Sequence, residues 1–274
     1  MTKTVGIAMM VIGAAWWALS AGAASPSTQP AIQPSTQPAK ELALDLGNKV
    51  TMKLALIPAG KFTMGSPKGE KDGQTDARPQ HEVTISKPFY VGATEVTQAQ
   101  YEAIMGKNPS NFKGPQNPVE QVSWDDAVEF CKKLSQKTGK TVSLPTEAQW
   151  EYVCRAGSKT RFCFGDDDSG LGDYAWYGSN SDSKTHPAGG KKPNTWGLYD
   201  IHGNVWEWCS DWHADSYANA KNVDPAGPDS GSDRVLRGGG WDTYPRDCRS
   251  ALRNRDSPDG RYGRVGFRVA VDLK

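Results

Sequence analysis

Apolar residues alternate with polar ones in two early stretches of the chain. KLALIPAGKFTMGS (53–66) reads as a strand, a Pro-Ala-Gly turn and a second strand, and HEVTISKPFYVGATEVT (81–97) alternates Val83 and Ile85, then Phe89 and Val91. The period then lengthens. WDDAVEFCKKLSQKTG sets Ala127, Val128, Cys131 and Leu134 on one helical stripe that stops at Gly139, so Cys131 is expected to face a core. Three helix starts carry a Ser or Thr followed three residues on by an amide or acid: Thr97 with Gln100, Ser123 with Asp126, Thr146 with Gln149. Further on, VWEWCSDW alternates Trp206, Trp208 and Trp212 with polar residues, which predicts a strand with its indoles in the core. Between Cys154 and that strand, turn residues dominate. A stretch of that length needs something to order it, and calcium or tryptophan packing could do so.

The first residues put Lys3 before an apolar run and end on Ala21-Gly22-Ala23, the pattern of a secretory signal peptide over 1–23. The run from Val5 to Leu19 is short of the ~20 apolar residues that span a bilayer, so no membrane span is expected after cleavage. Residues 24–45 contain PSTQPA twice and read as an extended, solvated spacer, with order beginning near Leu42 to Val50 and one domain over 46–274. An exported protein, periplasmic or at the cell surface, is the expectation. In that compartment the 5 cysteines (131, 154, 163, 209, 248) are expected to supply one or two disulfides and at least one leftover thiol.

Composition narrows the picture. A net charge of +1 lacks the basic footprint of a nucleic-acid binder, and 29 Gly, 18 Pro and 10 Trp point to a loop-rich fold pinned by aromatics. Charge is nonetheless uneven: between Arg234 and Arg268 nine arginines face four aspartates. Some should pair internally; others could meet a carboxylate or sulfate near Trp241, Thr243, Arg246 and Arg249, the expected ligand-binding candidates. No G-x-S-x-G, Walker loop or Cys–His nucleophile signature is present, and His81, His186, His202 and His213 form no helical ligand pair.

Six motifs in order carry a family resemblance: IPAGKFTMGS, VSWDDAVEFC, LPTEAQWEYVCRAG, GLYDIHGNVWEWCSDW, RVLRGGGW and GFRVA. Over about residues 50 to 271 the chain resembles the formylglycine-generating enzyme, or sulfatase-modifying factor, family. The resemblance implies an α+β fold, a single C-type-lectin-like domain low in regular structure with long ordered loops, often stabilised by calcium. Its enzymes use oxygen and copper, held by a pair of cysteines, to convert a sulfatase cysteine into formylglycine.

Carried over to this chain, the family's calcium loop falls on DIHGNVWE. Asp200 and Glu207 would supply side-chain oxygens, and Gly203 and Val205 backbone carbonyls, in preference to turn capping or pairing with arginines. The copper pair does not carry over. The interval GGGWDTYPRDCRS holds only Cys248, and one thiolate neither secures a copper(I) ion nor excludes water from it. Cys248 instead falls beside a position that forms a disulfide in some relatives, with Cys154 and Cys209 as candidate partners. One subset of the family carries a comparable RGG-x-W…CRSA-x-R segment as a variable ligand-binding face. The expectation is an accessory protein that binds a polypeptide or anionic ligand. The alternatives are a divergent oxidase acting on sulfatase cysteines and a structural envelope component.

Overall fold

A computed structural model describes residues 1–2 and 41–273. The chain divides into Met1–Gln33 and Pro34–Lys274, and the fold belongs to the second. The expected signal segment, apart from its first two residues, and the spacer up to residue 40 lie outside the described residues. Strand β1, Glu41–Asp45, pairs antiparallel with β2, Thr51–Ile57, in register Glu41↔Ala55 through Asp45↔Thr51. Residues 41–45 therefore belong to the sheet rather than to the spacer.

Strand β3, Gly60–Met64, follows β2 as its alternation predicts, but it does not pair with it. The turn passes the chain out of the first sheet, and β3 pairs with β4, His81–Ile85. Strand β5, Phe89–Gly92, returns to lie beside β2. Helices α1, Gln98–Met105, and α2, Trp124–Thr138, are followed by β6, Val142–Ser143, and by α3, Glu147–Arg155. All three helices begin at the expected residues. Thr97, Ser123 and Thr146 each accept from the third backbone N–H of their helix, and the third side chain accepts the cap's own N–H, Asp126 doing so with a carboxylate. On α2 the buried stripe is Ala127, Phe130, Cys131 and Leu134; Val128 lies outside it and is 37% exposed.

Beyond the short α4, Leu171–Tyr174, the chain runs without regular elements to β7, Trp206–Trp212. Aromatic packing orders this stretch: Trp176 is stacked on His186 with ring centroids 3.8 Å apart and carries the Lys191 ammonium 3.9 Å from its ring, and Trp196 meets Tyr152 edge-on. Strand β7 anchors a four-stranded sheet in the order β10-β7-β8-β9, with β8 at Arg234–Arg237, β9 at Asn254–Asp256 and β10 at Val265–Gly266. Trp206 and Trp208 enter the main core, whereas Trp212 is half-buried under the Arg234 guanidinium. Finally β11, Ala270–Asp272, inserts between β5 and β6 and completes the five-stranded sheet β1-β2-β5-β11-β6. Among the described residues no helix is long and apolar enough to cross a membrane.

Candidate functional site

The arginine-rich C-terminal segment separates into a buried half and an exposed half. Arg237, Arg249, Arg253 and Arg268 are each at most 3% exposed, and every one meets a carboxylate. Arg253 grips Glu147 with two bonds of 2.7 and 2.9 Å, and Arg268 grips Glu207 with two of 2.6 Å. Two-pronged bonding of this kind satisfies both partners and compensates the desolvation of each charge. Arg249 pairs with Glu70 and also donates to the Asp72 and Arg246 carbonyls. Its guanidinium is thereby committed to the scaffold and is not offered to a ligand.

Of the other three expected ligand contacts, Trp241 and Thr243 lie on the loop after β8 and Arg246 lies in the short turn Pro245–Cys248 that follows it. Trp241 is half-buried, donating its indole N–H to the Gly263 carbonyl at 2.8 Å and standing edge-on to Phe112. Thr243 serves the loop itself: its hydroxyl donates to the Gly240 carbonyl and accepts the Gly240 N–H. Bonds from Trp241 N to the Asn204 carbonyl and from Ser181 Oγ to the Trp241 carbonyl hold the loop on the body. What projects is Tyr244, 64% exposed, with the Arg246 guanidinium 4.7 Å from its ring centre, and beside the same loop Arg264 lies 3.4 Å from Asp242. Sequence reading missed Tyr244 and Arg264. The Tyr-Pro dipeptide was the one signal for Tyr244, since a residue before proline is held extended.

Cys248 lies beneath this loop and is fully buried against Phe162, Leu171 and Ala175. The Thr243 hydroxyl stands 3.5 Å from its sulfur, and burial pushes its thiol up to about 12. All five cysteines are free. No bridge joins Cys154, Cys209 and Cys248, the expected candidates. One group touches three of the cysteines. His202, fully buried, donates from Nδ1 to the Cys248 carbonyl at 2.7 Å, because a carbonyl can only accept, and its Nε2 accepts the Cys163 N–H at 3.1 Å. The Cys154 sulfur stands 3.9 Å from both ring nitrogens. Both ring nitrogens are therefore used by the backbone, which leaves the imidazole no lone pair for a metal. Cys154, Cys163 and Cys248 thus meet around one imidazole whose nitrogens are both engaged.

The calcium loop brings Asp200 and Glu207 into one buried cluster with Glu95, which the sequence did not single out. Asp200 accepts the Gly189 N–H through Oδ2 at 2.6 Å, while its Oδ1 is buried without a partner. Burial, and the neighbouring Glu207 charge, push Asp200 up to about 6 against the opposing pull of Gly189 and Arg268; burial, then Asp200 and Glu207, raise Glu95 well above the usual carboxylate range. Asp200 Oδ1 suits a cation. Glu207 does not, because Arg268 and the Trp150 indole N–H already occupy its two oxygens. Among the described residues no three His, Cys, Asp or Glu side chains are grouped to hold a metal ion.

The mixed sheets, the long aromatic-pinned loops and the carboxylate–arginine pairs under a glycine-rich turn define a single α+β domain of the C-type-lectin-like kind. More narrowly, the chain belongs to the sulfatase-modifying factor family: the sulfatase-modifying factor enzyme 1-like domain matches residues 45–273. It is 32% identical to a formylglycine-generating enzyme of Streptomyces coelicolor, over 79% of this chain and 88% of that one. Among solved structures, Treponema denticola variable protein 1 superposes with a TM-score of 0.78 at 35% identity, covering 84% of this chain and 98% of that one. PvdO from Pseudomonas aeruginosa superposes with a TM-score of 0.78 at 32% identity, covering 87% and 100%.

Proposed function

We propose that this is an exported, non-oxidising member of the family that binds a polypeptide or anionic ligand on the face formed by Asp242, Tyr244, Arg246 and Arg264. The observation that carries the reading is Cys248: the one cysteine between the glycine turn and β9, fully buried, its thiol held protonated by burial. A soft copper(I) ion needs at least two thiolates, and the interval between the glycine turn and β9 offers a single cysteine. The exposed face has what recognition requires instead. Tyr244 is a rigid aromatic with its ring open to solvent, and Arg246 and Arg264 are forked donors that match carboxylate or sulfate. Export rests on the signal-like residues 1–23.

The test is an anaerobic copper(I) titration of the reduced protein beside its C248S variant, with a sulfatase-type cysteine peptide assayed in parallel. The expected result is no stoichiometric, Cys248-dependent copper binding and an unaltered peptide. Tight binding lost in C248S, together with formation of an aldehyde on the peptide, would establish the oxidase instead.

A further inference from the structure

The buried carboxylates of Glu147, Glu151 and Glu207 are each gripped by an arginine. Glu120, 0% exposed, has no such partner among the described residues. Its Oε1 accepts the Phe112 N–H at 2.8 Å, whereas its Oε2 is buried without a partner. The Ser110 hydroxyl accepts the Glu120 N–H at 3.1 Å and donates to its carbonyl at 3.4 Å. Backbone and side chain thus both tie Glu120 to the loop 108–114 between α1 and α2.

That loop supports Trp241. Phe112 stands edge-on to the indole with ring centroids 5.4 Å apart, and the indole N–H is held by the Gly263 carbonyl at 2.8 Å. Gly263 in turn faces the unpartnered oxygen: a Cβ built on it would lie 3.4 Å from Asn111 Nδ2 and 3.6 Å from both Glu120 Oε2 and Phe112 Cε2. One carboxyl therefore lies under both supports of the indole. Charge nearby does little to balance it. Lys113 is the charged side chain that acts on Glu120, and its ammonium is engaged by the Asn108 carbonyl at 3.0 Å. On the Gly263 segment the Tyr262 hydroxyl donates to Asp256 and Arg264 turns to Asp242. Burial raises the Glu120 carboxyl above its ordinary value against the pull of the Phe112 and Asn111 N–H groups and of Lys113. The ionised form, buried without a paired cation, is the costly one.

We propose that Glu120 is a proton-operated prop beneath Trp241: neutral, it stays packed under Phe112 and Gly263, and losing its proton loosens both from the indole. A carboxyl that binds its proton more tightly in the packed form favours that form at low pH and opposes it as pH rises. The consequence for recognition rests on reading the adjoining Asp242–Arg264 face as the ligand site. That face is then firmest in mild acid and slackens toward alkaline pH.

The test is NMR of the full-length, ligand-free protein labelled with 15N-tryptophan, with W241F assigning the Trp241 indole signal. Between about pH 4 and pH 8 that signal is expected to follow one titration with a midpoint above the ordinary glutamate range, and its Overhauser contact with the Phe112 ring to weaken as pH rises. Glu120→Gln should abolish the titration. Gly263→Ala, whose methyl makes only ordinary contacts while filling the space beside Oε2, should shift the midpoint upward, so the outcome does not depend on E120Q folding. The proposal fails if the indole signal does not titrate, if E120Q titrates as wild type does, or if G263A leaves the midpoint in place. Copper binding lost in C248S would overturn the ligand-face reading and leave this titration standing.

Discussion

Gly239 closes over Cys248: a Cβ added to the glycine would stand 2.8 Å from the thiol sulfur. The glycine also adopts φ +83°, so its missing side chain serves both the turn and the contact. Gly239→Ala should therefore destabilise the protein by about 1–3 kcal/mol in urea denaturation. Because part of that loss is the clash, C248A should recover some of it in the double variant, a coupling that an independent pair would not show.

The same enclosure sets thiol reactivity. Cys163 is partly exposed, whereas Cys131, Cys154, Cys209 and Cys248 are buried. Burial pushes Cys131, Cys154 and Cys248 up to about 12 and Cys209 well above its ordinary range. In the native reduced protein a thiol-titrating reagent should find one fast group, absent in C163S, and the rest should react only on unfolding.

Glu147 sits among Arg253, Arg237 and Tyr217 with 5% of its side chain exposed. Burial would push its carboxyl up, yet the Arg253 and Arg237 charges, with hydrogen bonds from Arg253 and Tyr217, outweigh burial and hold it below the usual value. Replacing Arg253 by Met leaves that charge buried with less compensation, and about 3–5 kcal/mol of stability should be lost. Chemical denaturation of R253M against wild type measures it.

Acidity should act in two directions. Asp211 is pushed up to about 7 by burial and the Glu147 charge, and Asp200 to about 6, chiefly by burial. A carboxyl whose folded pKa exceeds its unfolded one binds more protons when folded, so these groups make stability fall as pH rises from about 4 through 7. Glu147, Asp76 and Asp126 are held below their ordinary values, so their contribution is present above those values and lost on further acidification. The melting temperature should be higher at pH 5 than at pH 8 and decline again below pH 4. D211N should flatten the upper limb, and a melting temperature that rose from pH 5 to pH 8 would contradict the assignment.

Local rules made the three capped helices and β7 legible in the sequence, because Thr97, Ser123, Thr146 and the alternating tryptophans act through neighbours a few residues away. Val128 shows where such a rule slips. It satisfies the helical spacing, but Phe130 supplies the larger apolar side chain, and α2 turns that residue inward. The sites depended on distant pairings. Arg249 reads as a free cation until Glu70, far back in the chain, is placed against it, and Glu207 reads as an open carboxylate until Arg268 is placed on it. His202 looked solitary for the same reason: Cys154, Cys163 and Cys248 come from three separate segments.

The position of β11 has a consequence for biosynthesis. Although it comes after every other strand in chain order, it sits inside the five-stranded sheet, with β5 on one side and β6 on the other. Until residues 270–272 have left the ribosome, β5 and β6 expose unpaired edges, and the sheet exists as two fragments. Nascent chains of this protein should therefore remain protease-sensitive and in need of holding until β11 has emerged, and then close quickly around a strand of three residues.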